Sequence, residues 1–72
     1  GGTMPCILNA ANEVVNLAFR EGKCGFLQMS DVIAETMAKT TFITEPTYED
    51  YVQTDTEARK IATTILNNTK QL

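Results

Sequence analysis

From Met4 to about Glu21 the apolar residues Met4, Ile7, Leu8, Ala11, Val14, Val15, Ala18 and Phe19 recur at spacings of three and four. On a helix of about 3.6 residues per turn, that spacing gathers them into one stripe. A 72-residue chain with such a stripe must use most of its remaining residues to cover it. Thr3 is placed to cap this helix, Pro5 sits in the first turn where its missing N–H costs nothing, and Gly22 is the expected left-handed residue just past its end. Arg20 falls near the negative end of the helix dipole. Ala10 and Leu17 lie off the main stripe, which makes Leu17 a candidate for a second contact surface.

The rest of the chain supplies two kinds of cover. After Lys23-Cys24-Gly25, Phe26 or Leu27 is expected to plug the end of the core. A second helix, roughly Gln28 to Lys39, then sets Met29, Val32, Ile33, Thr36 and Met37 against Asp31, Glu35 and Lys39 on the opposite face. Thr40 to Thr47 breaks the pattern as an ordered loop that drops Phe42 and Ile43 onto the bundle, and Pro46 holds Glu45 extended. Thr47 can cap a short helix over Tyr48 to Gln53, with Glu49 and Asp50 in its first turn. Thr54 and Glu57 have capping-box spacing and would start a last helix carrying Ala58, Ile61, Ala62, Ile65 and Leu66. One unbroken helix from Tyr48 to Lys70 is the alternative, and it would put Tyr48 and Tyr51 on the same face; Asn67 to Leu72 reads as a fraying tail. The fold class is all-α: a small antiparallel bundle of three longer helices plus one short helix, with residues 1–72 as one domain.

Asn9, Asn12 and Asn16 stand at i, i+3 and i+7 and form an amide strip along one flank of the first helix, with Asn12 bordering the buried face. Asparagine competes with the helix for backbone hydrogen bonds, so three on one flank ask for a reason. The structural reason is docking: the amides bond loop backbone or a neighbouring domain. The catalytic reason, contact with a substrate, lacks a partner, because the chain has no histidine and its one serine, Ser30, sits at a helix start beside Asp31. Asn9, Asn12, Asn16 and Leu17 are therefore the candidate interdomain contacts.

The run Gly1-Gly2-Thr3-Met4-Pro5-Cys6-Ile7-Leu8-Asn9-Ala10-Ala11-Asn12-Glu13-Val14-Val15, then Ala18-Phe19 and Gly25-Phe26-Leu27, resembles the C-terminal domain of 1-deoxy-D-xylulose 5-phosphate reductoisomerases. Glu45-Pro46-Thr47-Tyr48-Glu49-Asp50-Tyr51-Val52, followed by Asp55-Thr56-Glu57-Ala58-Arg59, is similar to that family's closing helix. The resemblance implies a parent enzyme with an NADPH-binding domain, a central domain holding Mg²⁺ or Mn²⁺ and the substrate, and this helical domain at its end. It implies reduction and isomerisation of 1-deoxy-D-xylulose 5-phosphate to 2-C-methyl-D-erythritol 4-phosphate on the non-mevalonate route to isoprenoids, by a homodimer. The family's metal, phosphate and cofactor residues lie upstream, so no catalytic, cofactor-binding or metal-binding role carries over to any position here. The chain alone is expected to be inactive, its partners being the other domains of the parent. The resemblance also implies a helix before Gly1, whose loss would leave a groove for self-association.

Composition limits the rivals. Nine acidic against six basic residues, the latter scattered, disfavour nucleic acid and anionic membrane surfaces. The chain has no stretch apolar enough to span a membrane. Cys6 and Cys24 are lone thiols, Cys6 read as a core or boundary residue and Cys24 as a loop thiol, and this fits a reducing cytoplasm. No Gly-rich phosphate loop occurs, and Asp31 with Glu35 is a carboxylate pair without a third ligand. The reading from a different class is a free-standing acidic helical interaction module using Leu17 and the amide flank.

Overall fold

The structure is a computed structural model and describes residues 1–69. It contains three helices: α1 (Met4–Arg20), α2 (Phe26–Lys39) and α3 (Tyr48–Thr69). One end of the core holds Ile7, Ala10 and Ala58 with Met4 and Met37; the other holds Val15, Ala18, Cys24, Val32, Ala62, Ile65 and Leu66. Residue numbers rise along α1 and α3 and fall along α2 between these clusters, so α2 runs antiparallel to both and the bundle is up-down-up. The all-α antiparallel expectation holds.

The ends of α1 come from local chemistry. Gly22 has φ +72°, and around it Lys23 N–H donates to Ala18 O (2.8 Å) and Gly22 N–H to Phe19 O (3.1 Å). These are the paired 6→1 and 5→2 bonds of a Schellman end, which consume carbonyls the helix leaves orphaned. At the other end Thr3 precedes the helix with Pro5 in the first turn, but its side chain makes no cap bond. Instead Thr3 N–H donates to Ile43 O (3.0 Å) and the Thr3 hydroxyl accepts from Ile43 N–H (3.0 Å). The expected cap is thus a clasp between the start of the chain and the α2–α3 loop.

The core face of α1 is rotated from the one read off the sequence. Ala10 is fully buried, whereas Leu8 and Phe19 are exposed. The cause is the close crossing of α3, where Ala58 is also fully buried: two alanines let the backbones approach, and the larger Leu8 and Phe19 turn outward. Phe26 and Leu27 do not plug the core either, being 72% and 85% exposed. They form the first turn of α2, which starts two residues earlier than expected, and the buried residue at that corner is Cys24. On α2 the expected face holds, with Val32 and Thr36 buried. The Thr36 hydroxyl is satisfied by donating to Val32 O (2.7 Å).

α3 is one helix of 22 residues, and the separate short helix is absent among the described residues. Its start is the expected one: Thr47 Oγ1 accepts from Asp50 N–H (3.1 Å) and Asp50 Oδ2 accepts from Thr47 N–H (2.9 Å), a reciprocal capping pair. The Thr54–Glu57 spacing is not used as a cap. Thr54 is buried in mid-helix, and Glu57 Oε2 accepts from both N–H and hydroxyl of Thr41 (3.1 Å each), tying the loop to α3. Of the expected fraying tail, Asn67 to Thr69 continue α3, while residues 70–72 lie outside the described residues.

Candidate interdomain surface

α1 places Asn9 and Asn12 on the exposed outside of the bundle and Asn16 half-buried beside them. The Asn16 amide donates to Asn12 O (2.7 Å) and to Asn12 Oδ1 (3.1 Å), and the Asn9 amide reaches Glu13 Oε2 at 3.5 Å. Their bonds among the described residues are therefore within α1, not to the loop. Bonding back to the carbonyl four residues earlier satisfies the Asn16 amide within its own helix and ties it to Asn12. Leu17, 49% exposed, lies next to them. Asn12, Asn16 and Leu17 line a shallow depression of about 470 Å³ with Glu13, Arg20 and Arg59. Asn9 belongs to a neighbouring hollow with Pro5, Leu8 and Asn12. Three of the four candidates thus share one place and Asn9 borders it.

Sequence reasoning missed the residue that organises this surface. Glu13 ends the Leu-Asn-Ala-Ala-Asn-Glu run, and its Oε1 accepts from Arg59 Nη2 at 2.7 Å, while Arg59 Nε donates to Asp55 Oδ2 at 2.9 Å. The hydrogen bonds to Asp55 and then to Glu13 push the Arg59 guanidinium still further above its ordinary range. The pair spans 46 positions and carries no local pattern; only the i, i+4 spacing of Asp55 and Arg59 was visible in advance. Beside it, Cys6 Sγ lies 3.6 Å from Tyr51 O. Burial first, and Asp55 second, push that thiol up, with Arg59 pulling the other way. Both cysteines are free: Cys6 is at the boundary, one of the two positions expected for it, whereas Cys24, expected as a loop thiol, is buried at the α1–α2 corner.

Among the described residues no group of three His, Cys, Asp or Glu side chains converges on a metal position. Glu35 is paired with Lys39 at 2.7 Å on the solvent side of α2. What the face presents is amide groups, a held guanidinium, Leu17 and Leu8.

The profile of the DXP reductoisomerase C-terminal domain matches residues 1–61. The chain belongs to that family. Among curated DXP reductoisomerases, the enzyme of Phocaeicola vulgatus is 61% identical over 67 residues, covering 93% of this chain and 18% of the relative. That of Bacteroides fragilis is 61% identical over 62 residues, 86% of this chain and 16% of the relative. That of Bacillus subtilis is 39% identical over 66 residues, 92% of this chain and 17% of the relative. The chain therefore spans less than a fifth of the length of the DXP reductoisomerases it matches. No solved structure matches it. No helix among the described residues is long and apolar enough to cross a membrane.

Proposed function

We propose that this chain is the C-terminal helical domain of a 1-deoxy-D-xylulose 5-phosphate reductoisomerase, and that it serves the parent as a brace for the catalytic domain, taking no part in the chemistry. The observation that carries the reading is the 61% identity to such an enzyme across 93% of the chain. On this reading the parent converts its substrate to 2-C-methyl-D-erythritol 4-phosphate with NADPH and Mg²⁺ or Mn²⁺, in the cytoplasm, as a homodimer. The residues here fit neither the nucleotide nor the metal: the sequence has no Gly-rich phosphate loop, and no acidic cluster converges among the described residues. Both groups are assigned to the rest of the parent.

A brace acts by holding a site in shape, so its loss should abolish activity without unfolding the rest. The test is NADPH oxidation with 1-deoxy-D-xylulose 5-phosphate and Mg²⁺, run on the parent, on the parent truncated before Gly1, and on this chain alone. Activity in the parent only, with the truncated protein folded by circular dichroism, is the expected result. Equal activity in parent and truncated protein sinks the brace and favours an interaction module.

A further inference from the structure

The second half of α3 carries two parallel ridges. Ile61 and Ile65 stand four residues apart, and Lys60, Thr64 and Asn68 follow the same spacing one step around the helix. With Glu35 and Lys39 of α2 these residues line a groove of about 460 Å³, which falls in the size range of small-molecule sites. From Lys60 to Asn68 its α3 wall is about 12 Å long. Ile65 is buried and Ile61 packs against the core beside it, so the floor is apolar. The wall is polar and unsatisfied. Thr63 and Thr69 turn their hydroxyls back to Arg59 O and Ile65 O (2.8 Å each), whereas among the described residues no ion pair or side-chain hydrogen bond takes up Lys60, Thr64 or Asn68.

Charge decides what such a groove takes. Lys39 is paired with Glu35 at 2.7 Å, but the two side chains are 60% and 45% exposed, and a pair in that position contributes little and is readily shared. Lys60 adds a second positive charge. Two lysines against one glutamate leave the groove at +1 in a chain whose overall charge is −3. The groove between α1 and α3 is the contrast. Val14, Leu17 and Leu66 make it apolar as well, but its Glu21 and Lys23 pair with each other at 3.2 Å and leave it neutral. Of these two apolar grooves, only the one between α2 and α3 selects an anion.

We propose that the α2–α3 groove binds a small amphiphilic carboxylate, with its apolar body on Ile61 and Ile65 and its head group between Lys60 and Lys39. The Thr64 hydroxyl, one turn from Lys60, donates to the same head group. A monoanion matches the single surplus charge, whereas a dianion would bring an unmatched negative charge beside Glu35. The groove shares no residue with the amide strip of α1, so the proposal does not depend on the brace.

The test uses the full-length parent, irradiated with millimolar decanoate carrying a diazirine at its tail end and, separately, with the matching decylammonium probe, followed by peptide mass spectrometry. Adducts of the carboxylate probe are expected on residues 61–69 or 35–39, with the ammonium probe labelling these positions several-fold less. Lys60→Gln should reduce carboxylate labelling about five-fold at an unchanged melting temperature, and Lys23→Gln, in the neutral groove, should leave it as it was. Equal labelling by the two probes overturns the proposal. So do adducts confined to the groove of Val14, Leu17 and Leu66, and so does the absence of labelling. Because the readout is an adduct mass and not turnover, the result is independent of whether the truncated parent is active.

Discussion

Gly2 and Gly22 have nearly the same backbone, φ +61° and +72°, in different surroundings, and replacing each by alanine separates strain from collision. At Gly22 nothing lies within 4 Å of an added Cβ, so Gly22→Ala carries only the left-handed penalty, about 1 kcal/mol. At Gly2 the same carbon collides with the Ile43 carbonyl oxygen. That oxygen accepts from Thr3 N–H, and Ile43 N–H donates to Thr3 Oγ1, so the collision cannot relax without opening the clasp. Two net hydrogen bonds of about 1 kcal/mol each are then at stake. If the first residues peel away, the strain is relieved but the clasp is lost, leaving a cost of about 2 kcal/mol; if they stay, it is about 3 kcal/mol. A chain of this size has roughly 4–11 kcal/mol of stability in all, so the two variants differ measurably. Urea unfolding followed by circular dichroism at 222 nm should give equal m-values and a midpoint clearly lower for Gly2→Ala than for Gly22→Ala. Amide exchange at Thr3 and Ile43 should accelerate only in Gly2→Ala. Equal destabilisation by the two substitutions, or undisturbed protection at Thr3 and Ile43, refutes the clasp as an energetic feature.

Arg59→Gln removes the cross-helix contact to Glu13 and the local one to Asp55; because the side chains are more than a third exposed, the expected loss is only about 1 kcal/mol at low salt. Raising salt should shrink that difference, and a salt-independent loss of several kcal/mol would show that Arg59 acts by packing instead. The Cys6 thiol, pushed up by burial and by Asp55, should react with iodoacetamide with a half-reaction pH higher in the folded than in the urea-unfolded protein. Because the folded state holds the proton more tightly, the thiol's contribution to stability is complete below its unfolded pKa and is lost as pH rises through the folded one. A Cys6→Ala variant should lose less stability on going from neutral to alkaline pH than the parental chain, and identical pH profiles would contradict this.

How much was legible in the sequence is decided by the range over which each signal acts. The capping pair Thr47–Asp50, the Gly22 end of α1 and the apolar face of α2 depend on residues within one or two turns, and all were readable. The rotation of α1 was not, because it is set by Ala58 on another helix: spacing alone ranks Leu8 and Phe19 as better core residues than Ala10, and only a close crossing reverses that order. The same reasoning covers Glu57, whose spacing from Thr54 suits a cap but whose carboxylate is taken by Thr41, 16 residues away. Along the amide strip it is Asn16, and not Asn12 as spacing suggested, that borders the buried face, while the bonds between the two follow from helical spacing. The Glu13–Arg59 link across the bundle does not.

These mismatches concern what the bundle is for. A free-standing domain of 72 residues has little apolar area to spare, yet this one leaves Leu8, Leu17, Phe19, Phe26, Leu27, Tyr48 and Tyr51 exposed. Phe19 and Phe26 pack edge to face, with ring centroids 6.1 Å apart, so two of these exposed rings hold each other in place. Uncovered apolar surface costs nothing when it is covered in the assembled protein, and an ordered surface loses little entropy on being covered. The outer face of α1 is well suited to this: Asn12 and Asn16 are held by their own helix, and Glu13 fixes that helix to α3 through Arg59. The proposed brace requires a residue set that contributes little to the isolated bundle and much to a docked one. Substitutions at Leu8 and Asn12 should accordingly affect the parent's activity more than the bundle's melting temperature, and the reverse ranking, a large thermal loss with activity intact, would mean that this face serves only the domain itself.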